Sequence, residues 1–230
     1  MKHKLNYEAF VHYTLSFIGG FLGLYTILTR CELFGSAQTG NLLYLVWDIL
    51  GHNLSDFLLR LGALFLYIFA IVLTVWLPER FGSDLKRISI LIDGTVILML
   101  GFFPKDMNPI LGLYPVFFAM AFQWCSFRGA CGYVSSTTFS TNNLRQFVSS
   151  ITQFLMSRDK EACTKAKFFG TTLLSFHAGA GTSYLLCHFF GIPSVWFCMI
   201  PLYFSFRFSA HISSYILFTS AESSRIYIPK

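Results

Sequence analysis

The sequence predicts an all-α integral membrane protein: six transmembrane helices in two inverted three-helix repeats, each interrupted by a broken, re-entrant polar segment. Three observations carry that prediction. The first is composition: of 230 residues 54% are hydrophobic and only 12% charged, and 27 are phenylalanine. A soluble domain carries about a quarter charged residues, so this chain has too few to cover a surface facing water. The second is length: apolar segments of about 20 residues, enough to cross about 30 Å of hydrocarbon as a helix, recur along the chain. The third is a polar motif that occurs twice, with an odd number of predicted spans between the copies. Residues 1–230 read as one transmembrane domain, with repeat one over about 9–104 and repeat two over about 109–219.

In chain order, span one is predicted at Ala9–Leu28, followed by the polar stretch Cys31–Asn41 and a short apolar run, Leu42–Leu50. Span two runs from Phe57 to Leu77 and stops at Pro78, which cannot continue a helix without losing a backbone bond. The charged turn Glu79–Arg87 leads to span three, Ile88–Phe103, and after Pro104 to span four, Ile110–Phe127. The longest polar region, Arg128–Lys167, contains Leu144, Phe147, Val148, Ile151, Phe154 and Leu155 at helical spacing. That spacing predicts an amphipathic helix on the membrane surface or against the bundle, then a solvated charged turn from Arg158 to Lys167. Spans five and six are Phe168–Phe190 and Val195–Phe218. Lys2 and Lys4 precede a full-length apolar stretch, so it reads as a spanning helix and not as a cleavable signal.

Orientation follows from the basic residues. Thirteen of the 17 Lys and Arg fall in the N-terminus, the 79–87 turn, the 128–167 region and the C-terminus. The alternate connections hold only Arg30 and Lys105. This asymmetry places both termini in the cytoplasm. It also accounts for the net charge of +6 without a nucleic-acid partner, and none is expected. The six cysteines are scattered without zinc-like spacing, and no metal or cofactor is expected. No Gly-x-Ser-x-Gly, His-Glu-x-x-His, phosphate loop or Cys-x-x-Cys occurs, so the chain does not read as an enzyme.

The repeat is the informative feature. Ser36-Ala37-Gln38-Thr39-Gly40-Asn41-Leu42 recurs 102 residues later as Thr138-Phe139-Ser140-Thr141-Asn142-Asn143-Leu144. Thr39, Asn41 and Leu42 match identically, and Gly19 and Tyr25 align with Ala121 and Phe127. Three predicted spans separate the copies, so the halves insert in opposite orientations, as in many secondary transporters. Non-helical backbone at membrane depth is tolerated only when it lines a cavity or is buried in protein. Gln38, Thr39, Asn41, Thr137, Thr138, Thr141 and Asn143 supply neutral donors and acceptors, and Gly40 permits close backbone approach. Extramembrane loops whose Asn and Thr cap the next helix are the equally weighted alternative.

Ionisable groups at membrane depth are functional candidates by default. Asp93 in span three and His177 in span five are the candidates for ion or proton coupling. The structural alternatives are a buried partner for Asp93, Arg60 or Arg207, and a packed, hydrogen-bonded histidine at His177. Arg60 has Asp56 one turn earlier, which predicts a local ion pair. Ser175, Gly179 and Ser183 put small residues four apart and predict close helix packing.

The segment SFIGGFLGLYTILTRCELFGSAQTGNLL at Ser16–Leu43 resembles the signature of the YoaK family, bacterial membrane proteins whose shared domain has no assigned function. Members pair a GGFLDA-type run with AQTGN, and carry Gln-Asn-Ala, an arginine and TTxxTGN in the second half. Gln123, Arg128, Thr137, Thr138, Thr141, Asn143 and Leu144 match that second pattern. Gly23 stands where the family has an acidic residue, Trp124 replaces the Asn and Asn142 the second glycine, which puts any coupling through the missing carboxylate in doubt. The resemblance implies a six-helix protein of the bacterial inner membrane. The expected function is a transporter or channel for a small solute, with Gln38, Thr39, Gly40, Asn41, Gln123, Arg128, Thr138, Thr141 and Asn143 as its site. The alternative is a non-transporting scaffold or partner subunit. Expected partners are the lipid bilayer and a small-molecule solute, with homo-oligomer formation left open.

Overall fold

The computed structural model describes residues 2–30 and 38–209, with side chains from Leu5 onward. Helix α1 is Lys2–Thr29, α2 Gln38–Leu50, α3 Leu54–Phe81 and α4 Leu85–Leu100. A one-turn α5, Pro109–Gly112, precedes α6, Tyr114–Ser126. A two-stranded hairpin, β1 Gly129–Ala130 with β2 Tyr133–Val134, follows. Residues 135–140 then run without helix into α7, Thr141–Ser157, and α8, Lys160–Phe190. A 3-10 helix, Ile192–Cys198, leads into α9 at 199–209.

Local chemistry sets the boundaries. The Asn53 side chain accepts from Asp56 N at the start of α3, and Gly82, at φ 60°, closes that helix by donating its N–H to Pro78 O. Asp84 caps α4, Asn108 caps α5 and Asp159 caps α8, each accepting from two backbone N–H groups of the first turn. The hairpin turns through Cys131 and Gly132, both at positive φ.

The helices pack pairwise. α1 lies parallel to α8, His12 beside Phe168 and Tyr25 beside Ile192, and the two cross through reciprocal glycines: Gly20 faces the backbone of Phe176, and Gly179 faces the backbone of Phe17. A Cβ at either position would overlap the facing carbonyl oxygen, so the two backbones meet as small residues allow in bilayers. α6 packs on α3, where Tyr114 donates its hydroxyl to Leu59 O at 2.7 Å. α4 packs on α6 and on the 3-10 helix, with Trp196 Nε1 donating to Leu98 O at 3.2 Å. α2 lies on α3, and α7 on α8 with Phe147 against Gly170.

These contacts define two ends. At one, Arg30 donates to Pro104 O, Gly112 lies beside Arg30, and Tyr25 donates to Ile192 O. At the other, Lys86 lies over the Phe127 ring, Cys131 donates to Leu5 O, and Tyr7 stacks on Phe208. The long helices α1, α3, α4, α6, α8 and α9 therefore run in alternating directions. Leu15, Ile18, Phe21, Ile97, Phe117 and Phe122 fill the interior. The outer surface is apolar as well, with Phe65, Phe69, Val72, Leu174 and Phe189 all exposed. So many exposed apolar side chains fit an exterior facing lipid.

Several expectations change. Among the described residues three helices are long and apolar enough to cross a membrane: Leu5–Thr29, Leu54–Phe81 and Pro109–Ser126. α4 has 16 residues, about 24 Å of rise, and α8, though 31 residues long, is diluted by its charged and polar positions. α3 continues through Pro78 to Phe81, because a proline one turn from a helix end costs a single backbone bond. The predicted charged turn at 158–167 exists only at Arg158 and Asp159; Lys160–Lys167 are the first turns of α8. Span six opens as a 3-10 helix, and its part beyond Ser209 lies outside the described residues. The amphipathic α7 forms as predicted, but only part of its apolar side packs inward; Leu144, Val148 and Leu155 are exposed.

Candidate functional site

The second polar segment is buried in the bundle. Ser135, Ser136, Thr137 and Thr138 are all nearly or fully inaccessible, although none is helical. They reach this depth because Gly19 of α1 leaves room: a Cβ there would overlap Thr137 O. The segment's polar groups then need partners within the protein, and specific side chains provide them.

Asn143, in the first turn of α7, supplies most of these partners. Its Oδ1 accepts from Ser135 Oγ at 2.9 Å and from Ser136 N at 3.3 Å, and its Nδ2 donates to Ser136 O at 2.7 Å. Ser136 Oγ accepts from Thr138 N and lies 3.2 Å from Thr138 Oγ1. From α6, Gln123 Nε2 donates to Thr137 Oγ1 at 2.8 Å. From α1, His12 Nε2 lies 2.9 Å from Ser135 Oγ, and its ring stacks on Phe168. α1, α6, α7 and the segment are thus joined by one buried, neutral hydrogen-bond network. Such a network can recognise a polar solute only by exchanging its internal bonds for bonds to that solute.

Of the predicted site residues, the structure brings together Gln123, Thr138 and Asn143, along with Thr137. Thr141 is exposed at the start of α7. Arg128 is also exposed, and its Nε donates to Cys125 O at 3.1 Å, which closes the end of α6. The first polar stretch divides: Cys31–Ala37 lies outside the described residues, and Gln38, Thr39, Gly40 and Asn41 form the first turn of α2. Asn41 is buried and donates to Gln38 Oε1 at 3.5 Å, whereas Thr39 and Gly40 are exposed. Among the described residues no atom lies within 4 Å of a Cβ built on Gly40, so the expected close approach at this glycine is absent there.

The charged candidates also move. Arg60 Nε donates to Asp48 Oδ2 of α2 at 2.8 Å, in a buried pair, and its guanidinium stacks over Tyr44 at 4.4 Å. It is not paired with Asp56, which belongs to the α3 cap through Asn53 Nδ2 at 2.8 Å. Arg207 is exposed, so neither arginine neutralises Asp93. Asp93 is fully buried on α4, and neither carboxylate oxygen has a hydrogen-bond partner among the described residues. His177 is exposed on α8 and its Nδ1 lies 2.8 Å from Leu173 O, within its own helix. Gly179 and Ser183 are buried, as predicted for a packing stripe.

His12, Ser135, Ser136 and the close approach at Gly19 were missed. A lone histidine in an apolar helix carries no spacing signal; the only available one was the run of four hydroxyl residues at 135–138, of which the repeat covers only Thr138. Among the described residues, one surface groove includes the predicted Arg128, beside Lys86 and Ser126, and neither it nor four others includes a residue of 135–143.

A protein-family model described as "Protein of unknown function (DUF1275)" matches residues 11–207. The match spans every helix from α1 to α9, and the chain belongs to that family. No curated protein and no solved structure matches it.

Proposed function

We propose that this member of the DUF1275 family is a six-span protein of the bacterial inner membrane, with both termini cytoplasmic, that passes a small polar solute along its buried second segment. One observation carries the reading: a non-helical stretch, 135–140, held within an otherwise helical interior by neutral hydrogen bonds. Transporters place unwound polar backbone at such a depth because a solute must be met by groups that can replace its water. The resemblance to YoaK supports the same topology.

The pairing of elements supports an inverted repeat. With α1, α2, α3 and α4 set against α6, α7, α8 and α9, the α1–α8 contact mirrors α6–α3, and α2–α3 mirrors α7–α8. α4–α6 mirrors the contact of α9 with α1, seen at Phe208 against Tyr7 and Phe10. A pseudo-two-fold axis in the membrane plane generates this set of pairs.

The scaffold reading has its own support: every link between the segment and Asn143 is internal, and the grooves lie elsewhere. The two readings differ in solute binding. The purified protein is screened against polar solutes by thermal stabilisation, and any hit is then tested for flux in liposomes. Transport requires a solute that stabilises the parent and loses its effect in Asn143→Ala and Gln123→Ala. A hit that stabilises these variants equally, or crosses their liposomes at the parental rate, refutes the site. In neither reading is the chain an enzyme.

A further inference from the structure

We propose that Asp93 and Ser89 of α4, Ser205 of α9 and the side-chain carbonyl of Gln123 bind one monovalent cation of the sodium type inside the bundle. The inference uses the membrane reading above only for its low-dielectric surroundings, and it does not need a solute.

All four residues are completely buried, and five of their oxygens lack a hydrogen-bond partner among the described residues: both of Asp93, the hydroxyls of Ser89 and Ser205, and Oε1 of Gln123. Ser89 and Asp93 are one turn apart on the inward face of α4. α9 crosses this face in the opposite direction. Trp196 bonds Leu98 O and Leu202 meets Gly94, so the next turn of α9 carries Ser205 to the level of Asp93 and Ser89. α6 approaches from the other side, also antiparallel. Lys86 lies over Phe127 at the bundle end, so one turn inward Gln123 reaches the level of Ser89. Its Nε2 is bonded to Thr137, which leaves Oε1 as the free end of the amide.

The donor set is one carboxylate, two hydroxyls and an amide carbonyl. These hard oxygens suit an alkali cation and not a soft transition metal. A single negative ligand balances a single positive charge. It also removes the cost of an isolated carboxylate in the interior, since Arg60 is occupied by Asp48 and Arg207 is exposed. Gln123 belongs both to the proposed donor set and, through Nε2, to the buried segment, so cation occupancy would fix the orientation of the amide that holds Thr137.

The test is thermal unfolding of the purified full chain in nanodiscs, with sodium chloride replaced by choline chloride at constant ionic strength, at pH 7 and pH 5. The expected result is a saturable, sodium-specific rise in Tm for the parent that is absent in Asp93→Asn. In Ser205→Ala the half-saturating sodium concentration should rise by roughly tenfold, the usual loss for one polar contact to a charge. If Asp93→Asn does not fold, Ser89→Ala/Ser205→Ala replaces it, and the same shift is required. Equal Tm in sodium and choline, or a sodium effect that survives Asp93→Asn, overturns the proposal. Stabilisation by acid alone, without sodium, also overturns it and assigns a proton instead. A failed solute screen beside an intact sodium effect would remove the transport reading and leave the cation site standing.

Discussion

At the scale of single residues, Asn143 and Gly19 decide whether the segment 135–140 can stay buried. Removing the Asn143 amide leaves Ser136 N and Ser136 O without their partner and Ser135 Oγ with His12 alone, and each orphaned group costs about 1–3 kcal/mol when buried. Asn143→Ala should therefore lower Tm strongly, whereas Asn142→Ala, which loses only an exposed bond from Arg145, should stay within about 0.5 kcal/mol of the parent. The glycines divide in the same way. Gly19→Ala pushes a methyl group onto Thr137 O and should cost about 1–3 kcal/mol by overpacking. Gly40→Ala meets no described atom in a helix and should gain up to about 1 kcal/mol. Calorimetry of the four variants checks both contrasts. Asn143 and Thr138 were legible in the sequence because the repeat and the family pattern both marked them, and Gln123 because the family pattern did. His177, a coupling candidate with a packed histidine as its alternative, faces outward, since residue type inside an apolar run does not reveal which side of the helix packs.

At the scale of elements, the Asp48–Arg60 pair fixes α2 to α3 across the turn at Gly51–Asn53. Removing one partner strands the other charge, so Arg60→Met or Asp48→Leu alone should cost about 3–5 kcal/mol, while the double replacement should be close to neutral. A double-mutant cycle on Tm reads the coupling directly. The exposed side of α2 is apolar, with Leu43, Trp47 and Leu50 among its most exposed residues. In a variant retaining only Trp47, bromine-labelled lipid tails should quench its fluorescence; quenching by aqueous iodide instead would place this helix in water. Leu5–Thr29, Leu54–Phe81 and Pro109–Ser126 were readable from apolar length, because a run of that length is what a helix crossing hydrocarbon needs. The partner of Arg60 was not, because the i,i+4 rule pointed to Asp56 while the true partner lies on the preceding helix. The start of α8 was misread for a related reason: charges in sequence look like a solvated turn, yet the Asp159 cap lets them begin a helix.

At the scale of the whole molecule, alternating helix direction is the property from which the rest follows. It gathers residue 2, the turn at 82–84, the hairpin at 129–134 and the α7–α8 turn at one end, and Arg30, Pro104 and Gly191 at the other. The basic residues follow this division: eleven of the thirteen assigned to the cytoplasm precede α9, the other two lie outside the described residues, and Arg30 and Lys105 mark the opposite end. The proposed inverted repeat has only three identical residues behind it in the sequence, because two halves of one backbone plan would meet different surroundings and need not keep the same side chains. The decisive measurement is cysteine accessibility in intact cells. In a chain with its six cysteines replaced, single cysteines at Lys105, Ser83 and Ser157 are treated with a membrane-impermeant maleimide. Six spans with cytoplasmic termini predict labelling of the Lys105 position from outside, and of the Ser83 and Ser157 positions only after permeabilisation. Labelling of Ser157 from outside, or of Lys105 and Ser83 from the same side, would contradict the alternating topology.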